Sequence, residues 1–309
     1  MSGGGGHSFS GKMDTSGLFR KLRSSESETS AQEFEVEVAN MLGSLLSQYN
    51  KRDTERINDY LSTIREAICD DIEGTVDLLF GGSVSKHTYI DGLSDIDALV
   101  LLNKSELKDK SPREVKRYFF EKLKENLPNN RIKEGNLAVT VDFGDAEIQL
   151  LPAIRTRGGV KIADPAGTEW SHVRPRKFSE VLTKINQNQG GKVVPSIKLT
   201  KAIISSLPED RQLTGYHVES LAVEVFKQYT GPKKPQDMLT YFFRQAPQYV
   251  LEPLSDKTGQ SLHVDEYLGE RYSLKRKVVA DSLGRIGRRL QSANEAMLAE
   301  EWKNILGEE

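Results

Sequence analysis

The stretch Phe80-Gly81-Gly82-Ser83-Val84-Ser85-Lys86-His87-Thr88-Tyr89-Ile90-Asp91-Gly92-Leu93-Ser94-Asp95-Ile96-Asp97-Ala98-Leu99-Val100 decides how this chain is read. A short apolar run over 76–80 ends in Gly81-Gly82-Ser83, and a second apolar run follows Asp95-Ile96-Asp97 and continues to Leu102. Both runs predict strands with at least one buried face. Glycines directly after a strand let backbone N–H groups approach a phosphate with no Cβ in the way, and the Ser83 hydroxyl adds a donor. Side chains alternate along a strand, so Asp95 and Asp97 share one face while Ile96 points to the other. Two carboxylates on one face repel each other unless a cation lies between them. Mg2+ suits such a pair, with Mn2+ as its alternative, because it takes a few hard protein oxygens and completes its shell with phosphate and water. In-line attack of a 3′-hydroxyl on an α-phosphate is the expected reaction, with metal and positioning supplying most of the rate. Gly-Gly-Ser alone, or Asp-x-Asp alone, is a weak signal; the two at this spacing between strands are a strong one.

On the N-terminal side, residues 1–28 are rich in Gly and Ser and predict a flexible tail. Ser30 and Glu33 offer a capping box for a first helix with Phe34, Val38, Met41, Leu42 and Leu45 at helical spacing. A second helix follows Asp53, with Ile57, Leu61, Ile64 and Ile68 on one face. On the C-terminal side, Ser111, Pro112 and Glu114 predict a helix start. Residues 137–143 and 146–154 predict a hairpin turning at Gly144-Asp145, with 142 opposite 147 and 140 opposite 149. Beyond Phe178 the pattern is helical, over 178–188, 194–206, 216–229, 236–246 and one long helix from Ser273 to Ile305. This is an α+β or α/β chain, with a catalytic part over 29–190 and a helical part over 191–309, divided at Gly190-Gly191.

Composition narrows the function classes. The chain has 309 residues, 37% hydrophobic and 28% charged, with a net charge of −2. That balance argues against a dedicated binder of long duplex nucleic acid. The single cysteine, Cys69, excludes an intrachain disulfide and a thiolate zinc site, and fits a cytoplasmic setting. No run of about 18 apolar residues is present, so no membrane span is expected. Arg155, Arg157, Lys161, Arg174, Arg176 and Lys177 outnumber Asp164 and Glu169 in one stretch, either as a solvated face or as a rim facing phosphate.

The constellation of Gly82-Ser83 and Asp95-Ile96-Asp97 resembles the polymerase-β-like nucleotidyltransferase superfamily. The whole stretch 82–97 resembles the form found in the CD-NTases, the cyclic-oligonucleotide synthases of anti-phage CBASS systems. Leu150-Leu151-Pro152-Ala153 resembles the segment closing the catalytic sheet. Pro195-Ser196-Ile197-Lys198-Leu199-Thr200-Lys201 resembles the helix that carries a phosphate-contacting lysine, here Lys201. Gly215-Tyr216-His217-Val218-Glu219 resembles a segment of the helical lobe. The resemblance implies a two-lobed α+β fold, nucleoside triphosphates including ATP as substrates, and a cyclic di- or oligonucleotide as product. It also implies an activating partner protein or ligand for some members. Asp95 and Asp97 would be catalytic and hold metal; Gly82, Ser83, Lys201 and Tyr216 would bind nucleotide.

Two departures stand out. Gln149 occupies the place of the family's third acidic metal ligand, leaving Asp142 or Glu147 as substitutes, and Gly215 replaces a serine. An amide oxygen brings no charge, which motivates a different reading, a non-catalytic nucleotide sensor. A template-independent RNA 3′-end nucleotidyltransferase shares the chemistry. Lys86 and Thr88 are either triphosphate contacts or loop surface; Tyr216 either stacks on a base or packs in a core. Lys198 reads as a surface lysine and His217 as a packing residue.

Overall fold

The computed structural model describes residues 15–51, 53–70, 72–90, 95–164, 166–259 and 261–308. Asp91-Gly92-Leu93-Ser94 of the motif lie outside them, as do residues 1–14 of the expected tail.

Strand β1 (Asp77–Phe80) runs antiparallel to β2 (Ile96–Leu101), and β2 runs parallel to β5 (Glu147–Thr156). With β4 (Val139–Asp142) and β3 (Arg131–Glu134) the order is β1-β2-β5-β4-β3. β6 (Gly159–Ala163) and β7 (Trp170–Val173) extend the far end of β5. The expected hairpin register is observed, with Asp142 opposite Glu147 and Thr140 opposite Gln149. Alternation then sorts the sheet. Ile96, Ala98, Val100, Val139, Val141, Ile148 and Leu150 are fully buried on one face. Helices α2 (Thr54–Cys69) and α4 (Pro112–Asn126) cover that face through Ile57, Leu61, Ile64, Val115, Phe119 and Leu123. Both helices start as expected: Asp53 accepts the Arg56 N–H at 3.0 Å, and Ser111 with Glu114 forms a capping box. Asp97, Glu147 and Gln149 are left part-buried on the other face, with exposed Asp95 just before β2.

The helical part comprises α5 (Pro175–Asn188), α6 (Val193–Ser205), α7 (Gly215–Phe226), α8 (Pro235–Val250), α9 (Leu274–Glu295) and α10 (Ala299–Leu306). Three expectations need correction. Helix α1 runs Thr15–Gln48, so residues 15–28 are helical rather than tail, and Ser30 lies inside a helix instead of capping one. The two large cores do not divide at residue 190. Phe34, Val38 and Leu42 of α1 and Phe178, Leu182 and Ile185 of α5 are buried with α6–α10, because their apolar stripes find partners there and not against the sheet. The long final helix is broken at 296–298, where Met297 has φ 53° and is exposed. The break turns α10 back so that Trp302 is fully buried, its indole N–H donating to Asn294 at 3.0 Å.

The segment between α8 and α9 is pinned by charge. Arg276 is 0% exposed and donates to the carbonyls of Val250, Glu252, Gly269 and Glu270 and, at 2.7 Å, to Asp265. His217 is buried beside this pair, with Nδ1 2.9 Å from the Tyr267 hydroxyl. Burial holds its pKa down at about 4 against the pull of Asp265, and Arg276 adds to the depression. The ring is therefore neutral, and its 3.8 Å approach to Asp265 is not an ion pair at neutral pH. His217 is thus the packing residue that its apolar helix predicts. A histidine whose folded pKa is depressed protonates first in the unfolded chain. Its contribution is complete above about 6.5 and is lost as pH falls from there toward about 4. The expected loss is on the order of 3 kcal/mol. Denaturant titrations at pH 7 and pH 4.5 measure it, and an unchanged difference between wild type and His217→Gln at the two pH values would refute the assignment.

Candidate active site

β1 ends at Phe80, and α3 (Gly82–Ser85) is a single helical turn that carries the chain over the end of β2. The Gly81 N–H donates to the Asp97 carbonyl at 2.8 Å, and the Ser83 backbone N–H donates to the Asp97 carboxylate. Gly82 has φ +46°, and a Cβ there would lie 1.5 Å from Asp97 Oδ2. Glycine at 82 is therefore required twice, by its backbone angle and by the carboxylate that fills its side-chain space.

Asp97 is half-buried and faces Gln149 in register; Asp95 is exposed at the strand's start. Both carboxyls lie above the ordinary aspartate range. For Asp95 the causes are loss of water, then Glu147, opposed by a 2.5 Å hydrogen bond from Gln149 Nε2 and by Lys133. For Asp97 burial leads, and Asp95 and Glu219 add to it, opposed by Lys86 and the Ser83 N–H. Burial disfavours both charges, and the nearby cations and hydrogen bonds do not fully offset it, a condition that a divalent cation would relieve. Among the described residues no group of three His, Cys, Asp or Glu is arranged to hold a metal. The donor set is two carboxylates with an amide beside them, which fits a cation that takes its remaining oxygens from phosphate and water. Of the two candidate substitutes, Glu147 is the acid that bears on Asp95, although it is also paired with Lys133. Asp142 is separated from β2 by the whole of β5, and its Oδ1 accepts the Gly144 N–H at 2.8 Å to close the hairpin.

The helical part contributes the opposite charge. Lys201 on α6 donates to Glu219 at 2.7 Å and to the Thr88 carbonyl at 3.1 Å. Lys86 pairs with the same Glu219, and the Thr88 hydroxyl donates to it. Thr88 is fully buried, so it is not loop surface. The Lys86 Nζ also lies 5.1 Å from the Tyr216 ring centre and 5.3 Å from that of Phe178. Tyr216 packs edge-on against Phe178 and donates its hydroxyl to Asp256 at 2.8 Å, which together with burial keeps the phenol protonated. Lys198 is buried rather than on the surface; it holds Asn50, just beyond α1, at 2.5 Å.

Asp256 also borders a cavity of about 500 Å³ lined by His172, Arg174, Lys177, Lys257, Thr258 and Gly259. Arg174 and Lys177 of the basic stretch thus line a cavity. Arg155, Arg157 and Lys161 do not, being placed on the β5–β6 hairpin. The Asp256-Lys257-Thr258-Gly259 segment is the turn its sequence predicts, with Asp256 accepting the Thr258 N–H at 2.8 Å. A second opening of about 510 Å³ follows α8 and α9 at Pro247 and Gly284 and touches none of these residues. Sequence reasoning placed Glu219 in a segment of the helical lobe but gave it no role, and it missed the cavity residue His172. A charged residue within the largely apolar stretch 218–226, which also holds Glu224, was a further signal for Glu219.

Residues 37–186 match the family model of the second messenger oligonucleotide or dinucleotide synthetase domain. No curated protein sequence matches the chain. Several solved structures share the fold. CdnC of E. coli MS115-1, seen with ATP, is 14% identical with a TM-score of 0.61, over 82% of this chain and 90% of that one. The same protein in a complex with HORMA-deltaN gives 15%, 0.59, 90% and 91%. Vibrio cholerae DncV, a cyclic AMP-GMP synthase with the linear intermediate 5′ pppA(3′,5′)pG, gives 10%, 0.62, 96% and 90%. Rhodothermus marinus CdnE, a c-UMP-AMP synthase with Apcpp and Upnpp, gives 18%, 0.53, 76% and 91%. Among the described residues no helix is long and apolar enough to cross a membrane.

Proposed function

We propose, for a chain whose residues 37–186 belong to the second messenger oligonucleotide or dinucleotide synthetase family, that it joins nucleoside triphosphates, ATP among them, into a cyclic di- or oligonucleotide. The proposed role is that of a CD-NTase in anti-phage defence, acting in the cytoplasm. The observation that carries this reading is the carboxylate pair, Asp95 and Asp97, whose pKa values burial raises, beside the Gly82-Ser83 turn.

In this reading Asp95 and Asp97 hold Mg2+ or Mn2+. When bound, such an ion withdraws charge from an α-phosphate and makes a 3′-hydroxyl easier to deprotonate. The chain's own residues position the substrates. Ser83 and the backbone of the turn cradle the triphosphate, with Lys201 supplying positive charge from the helical side. Tyr216, its hydroxyl fixed by Asp256, offers its ring for a base to stack on. The His172, Arg174, Lys177 and Lys257 cavity takes the second nucleotide's phosphates. Holding both nucleotides converts a bimolecular reaction into an effectively unimolecular one. An activating partner protein or ligand is part of the proposal, supported by the CdnC complex with HORMA-deltaN.

One observation favours a second reading. Gln149 donates to Asp95 where a third acid would otherwise add negative charge, and a site of lower charge that binds without turnover would be a sensor. Mass spectrometry of products from mixed triphosphates with Mg2+ or Mn2+, after phosphatase treatment, decides. A phosphatase-resistant small nucleotide is the expected result. Binding without product under every condition would support the sensor, and elongation of added RNA would support a 3′-end nucleotidyltransferase.

A further inference from the structure

Glu219 lies in the middle of the positive wall of the site, and neither the reaction nor the fold accounts for a carboxylate there. It is 1% exposed on a buried helix where Val218, Leu221, Ala222 and Val223 are all buried apolar residues. An apolar side chain would suit those neighbours, and a buried ion pair is commonly no more stabilising than a well-packed apolar replacement. Its two oxygens are divided. Oε1 takes the Lys201 ammonium at 2.7 Å and the Thr88 hydroxyl; Oε2 takes Lys86. The donors come from two separate parts of the chain, the segment after α3 and helix α6.

The charge balance is informative. One carboxylate faces two ammoniums, so the cluster keeps an excess positive charge, and that excess bears on Asp97. Lys201 uses two of its three N–H groups, on Glu219 and on the Thr88 carbonyl, and Lys86 uses one on Glu219. The remaining donors are not spent within the cluster. Gly215 puts no side chain against Lys201: a Cβ there would stand 3.5 Å from Nζ.

We propose that Glu219 is a positioning residue for the triphosphate. It fixes Lys201 and Lys86 as a charged pair beside Asp97, with their unspent N–H groups available to phosphate oxygens. This rests on the reading of the site as a nucleotidyltransferase centre. Without Glu219, two ammoniums would stand together in a site that already disfavours charge. Burial pulls the Lys201 pKa down, Glu219 pulls it up, Lys86 lowers it further and Asp97 raises it. With Glu219 neutral, Lys201 gives up its proton more readily and turns away from its aim.

The test is calorimetric titration of the full chain with an ATP analogue non-hydrolysable at the α–β link, and separately with adenosine, at pH 7 and pH 9. For Glu219→Gln, affinity for the analogue is expected to fall at least about tenfold at pH 7 and further at pH 9, as electrostatic contacts to phosphate are lost. Adenosine affinity is expected to stay within about twofold, since it lacks the phosphates the lysines address. In a background carrying both Lys86→Met and Lys201→Met the same substitution should cost little more, because it acts through those two lysines. Turnover with substrate should show KM rising more than kcat falls.

Unchanged analogue affinity in Glu219→Gln at both pH values, with only a lower melting temperature, would reduce Glu219 to a structural role. Equal losses for analogue and adenosine would do the same. Failure of the wild type to bind the analogue would overturn the triphosphate site and this proposal together, whereas wild-type binding with an indifferent Glu219→Gln overturns the proposal alone. Should Glu219→Gln not fold, Glu219→Asp replaces it. It keeps the charge one methylene short, so analogue affinity should fall without an extra loss at pH 9; full wild-type affinity would count against positioning.

Discussion

Replacing both acids, Asp95→Asn with Asp97→Asn, is expected to lower the rate of product formation by at least about 10³-fold, because metal-assisted charge stabilisation supplies several kcal/mol of the barrier reduction. The fold should survive and even gain. Both carboxyls have folded pKa values above the ordinary aspartate range. For such a group the unfolded chain ionises first as pH rises. No penalty exists below the unfolded pKa, and it is fully present above the folded one. At pH 7, in chelator, the double variant should therefore melt no lower than wild type. It should also lose any upward shift that Mg2+ or Mn2+ with a triphosphate gives the wild type. Differential scanning fluorimetry with and without metal reads this independently of activity. Wild-type turnover in the double variant, or an intact metal-dependent melting shift, would remove Asp95 and Asp97 from the site.

The largest expected effect on stability lies elsewhere, at Asp265. Its carboxylate accepts the Leu254 N–H at 3.0 Å and the Arg276 guanidinium at 2.7 Å, with both ionic side chains fully buried. Asp265→Ala leaves a buried guanidinium without its counter-charge, a loss of about 3–5 kcal/mol. Against a typical total of about 5–15 kcal/mol that is a large fraction. A fall in melting temperature of roughly 10 °C is expected from the usual scaling for chains near this size. Removing both charges, Asp265→Ala with Arg276→Met, should recover part of it, since the cost is chiefly that of the orphaned partner. The segment so anchored includes Asp256, which holds Tyr216 and borders the basic cavity. Nucleotide affinity should therefore weaken along with stability. A shift under 2 °C would show that the pair is not what pins 251–273.

Much of the sheet is legible in the chain because its rules are local. Ser111 with Pro112 and Glu114 starts a helix by capping. Gly144-Asp145 sets a hairpin, and the turn fixes the register down to Thr140 opposite Gln149. Alternation alone puts Asp95 and Asp97 on one face. The short strands β3, β6 and β7 were not legible. Each has only four or five residues, such as Arg131-Ile132-Lys133-Glu134, and gains its pairing from a neighbour distant in sequence. The break at Met297 was hidden for a related reason: the periodicity of 279–297 is genuine, but burying Trp302 requires a reversal no repeat can announce.

Sequence alone determined the Gly-Gly-Ser turn and the two acids at the start of the next strand, because backbone conformation and strand alternation act over a few residues. Only the tertiary structure decided which charges surround those acids. It joined α1 and α5 to the helical core, set Glu147 rather than Asp142 beside Asp95, and closed Lys86, Thr88 and Lys201 around Glu219. Those contacts span up to 133 residues of sequence. Electrostatic interaction in a poorly hydrated interior depends on distance through space and on excluded water, and neither is a property of position along a chain.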